Sequence, residues 1–178
     1  MNLQLKYIEK LKSEQILAEV YTDKYDESFC GFVVDYNPEF IVLEIFDDDC
    51  NYDGVTILLI SNISRIRWAG NDLESRAYLI DISKRYNGVL SFDLSSMHAV
   101  LQSVEKLFNH INVQIQDIDT GICFIGQIHE IDDMSIVIKE YGTFSTLDRR
   151  FIMLSLDDIT RIDANAQYEN SLMRLYKE

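Results

Sequence analysis

Four aspartates and an asparagine crowd the stretch "FDDDCNYDG", Phe46 to Gly54, and their spacing is the first place where this chain could do chemistry. Asp49, Asn51 and Asp53 followed by Gly54 reproduce the first half of an EF-hand loop, in which alternate oxygens face one cation and glycine makes the bend. The second half is missing. Counting from Asp49, the position that requires a bidentate glutamate falls on Ile60, and an apolar run rather than an amphipathic helix follows. An EF-hand is therefore excluded, and two readings stay open: a weak calcium loop of Asp47, Asp49, Asn51 and Asp53, or a solvated turn between two strands.

Other reactive side chains give less. Cys30, Cys50 and Cys123 are widely separated, with no CxxC pair and no histidine close by, so neither a zinc site nor a disulfide framework is predicted; they read as reduced thiols of a cytoplasmic protein. His98, His110 and His129 show no catalytic spacing to a serine or cysteine, and His98 and His110, near the ends of a predicted helix, read as helix-surface or capping residues. The neighbouring acids Asp132–Asp133 and Asp157–Asp158 point in different directions and fit turns or strand ends. With no glycine-rich phosphate loop either, the expectation is a protein that is not an enzyme and has no cofactor.

The chain has 178 residues and a formal charge of −14, and the excess of acid is present in both halves. A surface of that sign opposes phosphate backbones and anionic membranes, and it favours a basic protein or peptide as partner. The start "MNLQLKYIEKLK" lacks the apolar core of a signal peptide, and no apolar run approaches a bilayer's width, predicting neither export nor membrane insertion.

The elements that must position these residues occur twice. "FCGFVVDYNPEFIVLEIF" (29–46) matches "FIGQIHEIDDMSIVIKEY" (124–141), with Gly31 opposite Gly126 and Asp35 opposite Glu130. "VTILLISNISRI" (55–66) matches "FIMLSLDDITRI" (151–162), and upstream "IEKL" (8–11) matches "VEKL" (104–107). Each copy reads as a helix followed by five short strands. Leu3, Tyr7, Ile8 and Leu11 mark the first helix; Met97, Val100, Leu101, Val104, Leu107 and Phe108 mark the second, with Ser95 or Ser96 as its cap. A lone glycine inside a strand, as at Gly31 and Gly126, marks the strong bend that closing a small barrel demands. Residues 73–94 read either as a helix and strand or as a hairpin about Asn87–Gly88, and 168–178 as a terminal helix.

A helix leading into five bent strands, with glycine in the second, resembles the Sm/LSm-like small barrel, a variety of SH3-like barrel. The resemblance implies a mainly β protein with flanking helices (α+β): two tandem five-stranded Sm-like barrels, each preceded by a helix, in repeats 1–95 and 96–178. Its first motif survives in part, as Gly126 with Asp132 and as Gly31 with Asn37, but isoleucines 41 and 136 stand where the family has its base-contacting asparagine. Its second motif is echoed by Ile66 and Arg67, with Trp68 in place of glycine. The family's RNA pocket is mostly lost. The function expected is protein or peptide recognition, regulatory or inhibitory, of the immunity or adaptor type, through Trp68, Arg65, Arg67 and Tyr52; the alternative is RNA binding by the Arg65/Arg67 patch with Trp68 stacked on a base. Trp68 itself is expected to pack in the core or between barrels rather than stand exposed. Family barrels often assemble into rings, whereas a duplicated chain satisfies one edge within itself, so a monomer or dimer is expected.

Overall fold

Asn2 starts the first helix by accepting the Leu5 N–H on its side-chain oxygen at 2.8 Å, and α1 (Leu3–Ser13) then buries Ile8 and Leu11. The computed structural model describes residues 2–177, and the chain divides into two units, Met1–Ser91 and Phe92–Glu178. The described residues are mainly β, with four helices and antiparallel strands.

In the first unit α1 is followed by β1 (Ala18–Thr22), β2 (Glu27–Tyr36), β3 (Phe40–Phe46), β4 (Tyr52–Leu59) and β5 (Arg65–Trp68), with a 3-10 turn at Ile60–Asn62. The strand order is β5-β1-β2-β3-β4. A Cβ on Gly31 would lie 2.2 Å from the Glu44 carbonyl oxygen, so only glycine lets β2 cross β3 at this point. A bulge between Val33 and Asp35 adds to the bend, and Asn37 closes the β2–β3 turn by accepting the Glu39 and Phe40 N–H groups. Ile8, Leu11, Val20, Val33, Ile41 and Leu43 form the core beneath α1. The other face of the sheet holds Cys30, Phe32 and Phe46 against Leu73 of α2 (Asn71–Leu79) and Ile80. Covered on both faces, β3 is buried at every position and reads as a continuous apolar run interrupted only by Glu44.

The second unit repeats this frame. Ser96 caps α3 (Met97–Phe108) through the Ala99 N–H at 3.1 Å, and Asn109 ends it in the left-handed conformation. Then come β6 (Ile111–Gln114), β7 (Cys123–Ile131), β8 (Ser135–Glu140), β9 (Phe151–Ser155), a 3-10 turn at Leu156–Asp158, β10 (Arg161–Ala164) and α4 (Gln167–Lys177). The order β10-β6-β7-β8-β9 is that of the first unit, and Gly126 sits 2.1 Å, measured from an added Cβ, from the Lys139 carbonyl oxygen. Gly31 is registered with Ile45, and Gly126 with Glu140, the same spacing in both copies.

Among the described residues, the strands at the two ends of each five-strand run are not hydrogen-bonded to each other, so each run is open and barrel closure is not among its ladders. Residues 73–94 follow the first sequence alternative in their helix but form neither its strand nor the hairpin. α2 ends at Leu79, and a 3-10 turn at Ile82–Lys84 leads into irregular chain with no strand and no hairpin at Asn87–Gly88. Side chains rather than a ladder hold this segment: Arg85 and the Tyr86 N–H both bind the buried Glu44 carboxylate. Among the described residues no helix is long and apolar enough to cross a membrane.

Candidate binding surface on the first unit

β5 is the end strand of its run, paired on one side with β1 in the register Glu19↔Arg67, Val20↔Ile66 and Tyr21↔Arg65. Strand alternation separates Arg65 and Arg67 from Ile66 and Trp68. Ile66 packs on the core. Trp68 does not go in with it: it is 36% exposed, and its ring lies 5.2 Å from that of Tyr7 on α1, which is equally exposed. The expectation that Trp68 packs in the core or between barrels is thus not met: it stands exposed, with the Tyr7 ring as its aromatic neighbour. Its counterpart in the second unit, Ala164, is buried.

Both arginines are engaged by carboxylates of their own chain. Arg65 donates through Nε and Nη2 to the two oxygens of Asp23, each at 2.8 Å, and its guanidinium lies 3.6 Å from the Tyr21 ring centre. That bidentate bond, with the Ser64 hydroxyl, holds Asp23 down at about 2. Arg67 binds Glu19 across the strand pair and Asp72 of α2 at 2.7 Å, and the bond to Glu19 followed by that to Asp72 raises its pKa further. A phosphate approaching this patch would have to displace three carboxylates.

Tyr52 belongs to a separate aromatic group, in edge contact with Phe46 and stacked at 6.2 Å on Tyr86. The four residues named from the sequence therefore split: Arg65, Arg67 and Trp68 share β5, whereas Tyr52 opens β4. Tyr7 completes the aromatic corner and was visible in the sequence only as an apolar position of α1.

The aspartate-rich stretch is the β3–β4 turn. Asp47 accepts the Asn51 N–H on its carboxylate at 2.8 Å, its own N–H bonds the Asn51 carbonyl, and Cys50 turns the chain at φ 61°. Arg76 of α2 donates to the Asp47 carbonyl. Asp47 therefore serves the turn, and among the described residues no three His, Cys, Asp or Glu side chains converge as a metal site would require.

His110 departs from the surface or capping role expected of it. It is fully buried; its Nε2 accepts the Asn165 N–H at 3.1 Å, which leaves the ring proton on Nδ1 beside the Phe108 carbonyl. Glu169, 3.7 Å away, accepts from Asn112 Nδ2 and from the Ala166 N–H, each at 2.7 Å. Burial opposes its charge, but the Asn112 and Ala166 donors to its two oxygens outweigh burial and keep Glu169 below its ordinary value. The arrangement locks the start of α4 onto β6. His98 stays at the surface, 3.3 Å from Asp133, and His129 stands edge-on to Phe151.

Compared with protein-family profiles, curated proteins and solved structures, the chain matches none at a significant level.

Proposed function

We propose that the protein is a non-enzymatic, cytoplasmic binding module that recognises a basic protein or peptide, in a regulatory, inhibitory or adaptor role, by strand addition along β5. The observation that carries this reading is an end strand whose last residue, Trp68, stays partly exposed on a second aromatic ring. An open strand edge supplies backbone hydrogen bonds to an extended segment, and an aromatic pair beside it supplies the anchor that such interfaces concentrate their energy on. The charge of −14 favours a basic partner. The Sm-like reading of the fold belongs to the same proposal and is supported by the common order of strands, the glycine in the second strand and the 3-10 turn before the last. The RNA alternative is weakened because Arg65 and Arg67 are already bound to Asp23, Glu19 and Asp72.

The test is recovery of the native protein beside its Trp68→Ser and Tyr7→Ser variants. Each variant is expected to lose a stoichiometric protein partner that Met153→Ser, on the second unit, retains. Undiminished recovery with both aromatic variants would remove β5 as the site.

A further inference from the structure

The second unit contains a cavity of about 650 Å³ between the starts of β7 and β9, beneath the 142–150 loop and bounded by Tyr168 of α4. The volume is that of a small-molecule site. Its walls are largely apolar, including Ile122, Phe124, Ile125 and Phe151, and three charged residues line it: Glu140, Asp148 and Arg150, a formal sum of −1. Glu140, on β8, is only 5% exposed. Arg150 donates through Nε to its Oε2 at 2.7 Å while lying mostly in solvent and reaching Asp148 at 3.5 Å. The other oxygen, Oε1, has no hydrogen-bond partner among the described residues.

A nearly buried carboxylate with one unused oxygen, set among apolar walls and aromatic rings, is matched by a donor that carries positive charge on an apolar body. We propose that this cavity binds an organic cation, an ammonium or guanidinium on an aliphatic or aromatic group, with the charge at Glu140 Oε1 and the body against Phe151 and Tyr168. The first unit has no such site at the matching position: Ile45, opposite Gly31, stands where Glu140 stands opposite Gly126. The inference concerns the second unit alone and is independent of the β5 reading.

Cys123 lines the cavity and is exposed, whereas Cys30 and Cys50 are buried, so alkylation of Cys123 reports its occupancy. Although the residue as a whole is exposed, desolvation of the sulfur by the atoms packed around it pushes this thiol's pKa up, and the reaction with iodoacetamide is best followed by intact mass at about pH 8.5. Phenethylammonium is expected to slow alkylation about tenfold or more at saturation, and the neutral phenylethyl alcohol is expected to leave the rate unchanged. Acetyl-arginine amide forms the second arm. Protection by it alone assigns the cation to a partner's side chain, and protection by phenethylammonium assigns it to a free ligand. Glu140→Gln should abolish protection while the melting temperature and unprotected rate stay near wild type. Lack of protection by both cations, or equal protection by the alcohol, overturns the proposal on the wild-type protein without recourse to any variant.

Discussion

The two units share a backbone plan and differ in what covers it. In the first, α2 and the irregular segment after it close the outer face of the sheet, burying Leu73 and Ile80 on Phe32 and Phe46. In the second, α4 covers the corresponding face, setting Leu172 against Ile125 and Tyr141, and the cavity at Glu140 remains beside it. The strands diverge as well: β4 is buried from Gly54 to Leu58, whereas β9 alternates and exposes Phe151 and Met153. What repeats is what the backbone demands, a bend-permitting glycine, a bulge and a capped helix. What does not repeat, Trp68 and the Glu140 cavity beneath the 142–150 loop, is where binding is proposed.

The sharpest break in the comparison concerns two of the buried glutamates, Glu44 and Glu140. Glu44 receives Nε and Nη2 of Arg85 and the Tyr86 N–H, and the pair is mostly enclosed. Arg85→Ala should cost about 3 kcal/mol by leaving that carboxylate without its cation, measured by urea unfolding. Arg150→Ala also leaves a nearly buried carboxylate, but the guanidinium it removes lies largely in water, so its loss in the same measurement should be clearly smaller than that of Arg85→Ala. Equal losses would mean the two sites are alike.

Next come the glycines. Gly31→Ala and Gly126→Ala each force a Cβ against a carbonyl oxygen and should destabilise by roughly 2–3 kcal/mol apiece, read from denaturant midpoints. Sensitivity of one alone would break the equivalence of the two bends.

Acid should act through the second unit by way of Glu169. Its folded pKa lies below the unfolded value of 4.5, so its contribution is complete above that value and is lost as pH falls through the lower, folded pKa. Thermal melts of wild type and Glu169→Gln should therefore differ at pH 7 and converge on acidification; a difference independent of pH would refute this. A small stability effect, under about 1 kcal/mol, is expected of Trp68→Ser because the ring is partly exposed, even though partner recovery should be lost.

The repeat, both helix-cored halves and the two glycines were legible because their signals are local: helical spacing, a serine cap, a glycine among β-formers. The 80–90 segment was not, since its conformation rests on Arg85 meeting Glu44, 41 residues away. Arg65 and Arg67 read as a basic patch because their neutralising partners Asp23 and Glu19 come into range only with the β1–β5 register. His110 hid for the same reason: its partners Asn165 and Glu169 come only after all five strands of the second unit in sequence. Tyr7 could be placed on α1 by its spacing, but not beside Trp68.

The most direct test of a protein-binding function is to recover the tagged protein from native extract at low salt, recording the 260/280 nm absorbance ratio and the mass spectrum of what co-elutes. A stoichiometric basic protein at a normal ratio, absent with Trp68→Ser, is the predicted result. A high ratio that collapses after ribonuclease would contradict the account and return β5 to RNA.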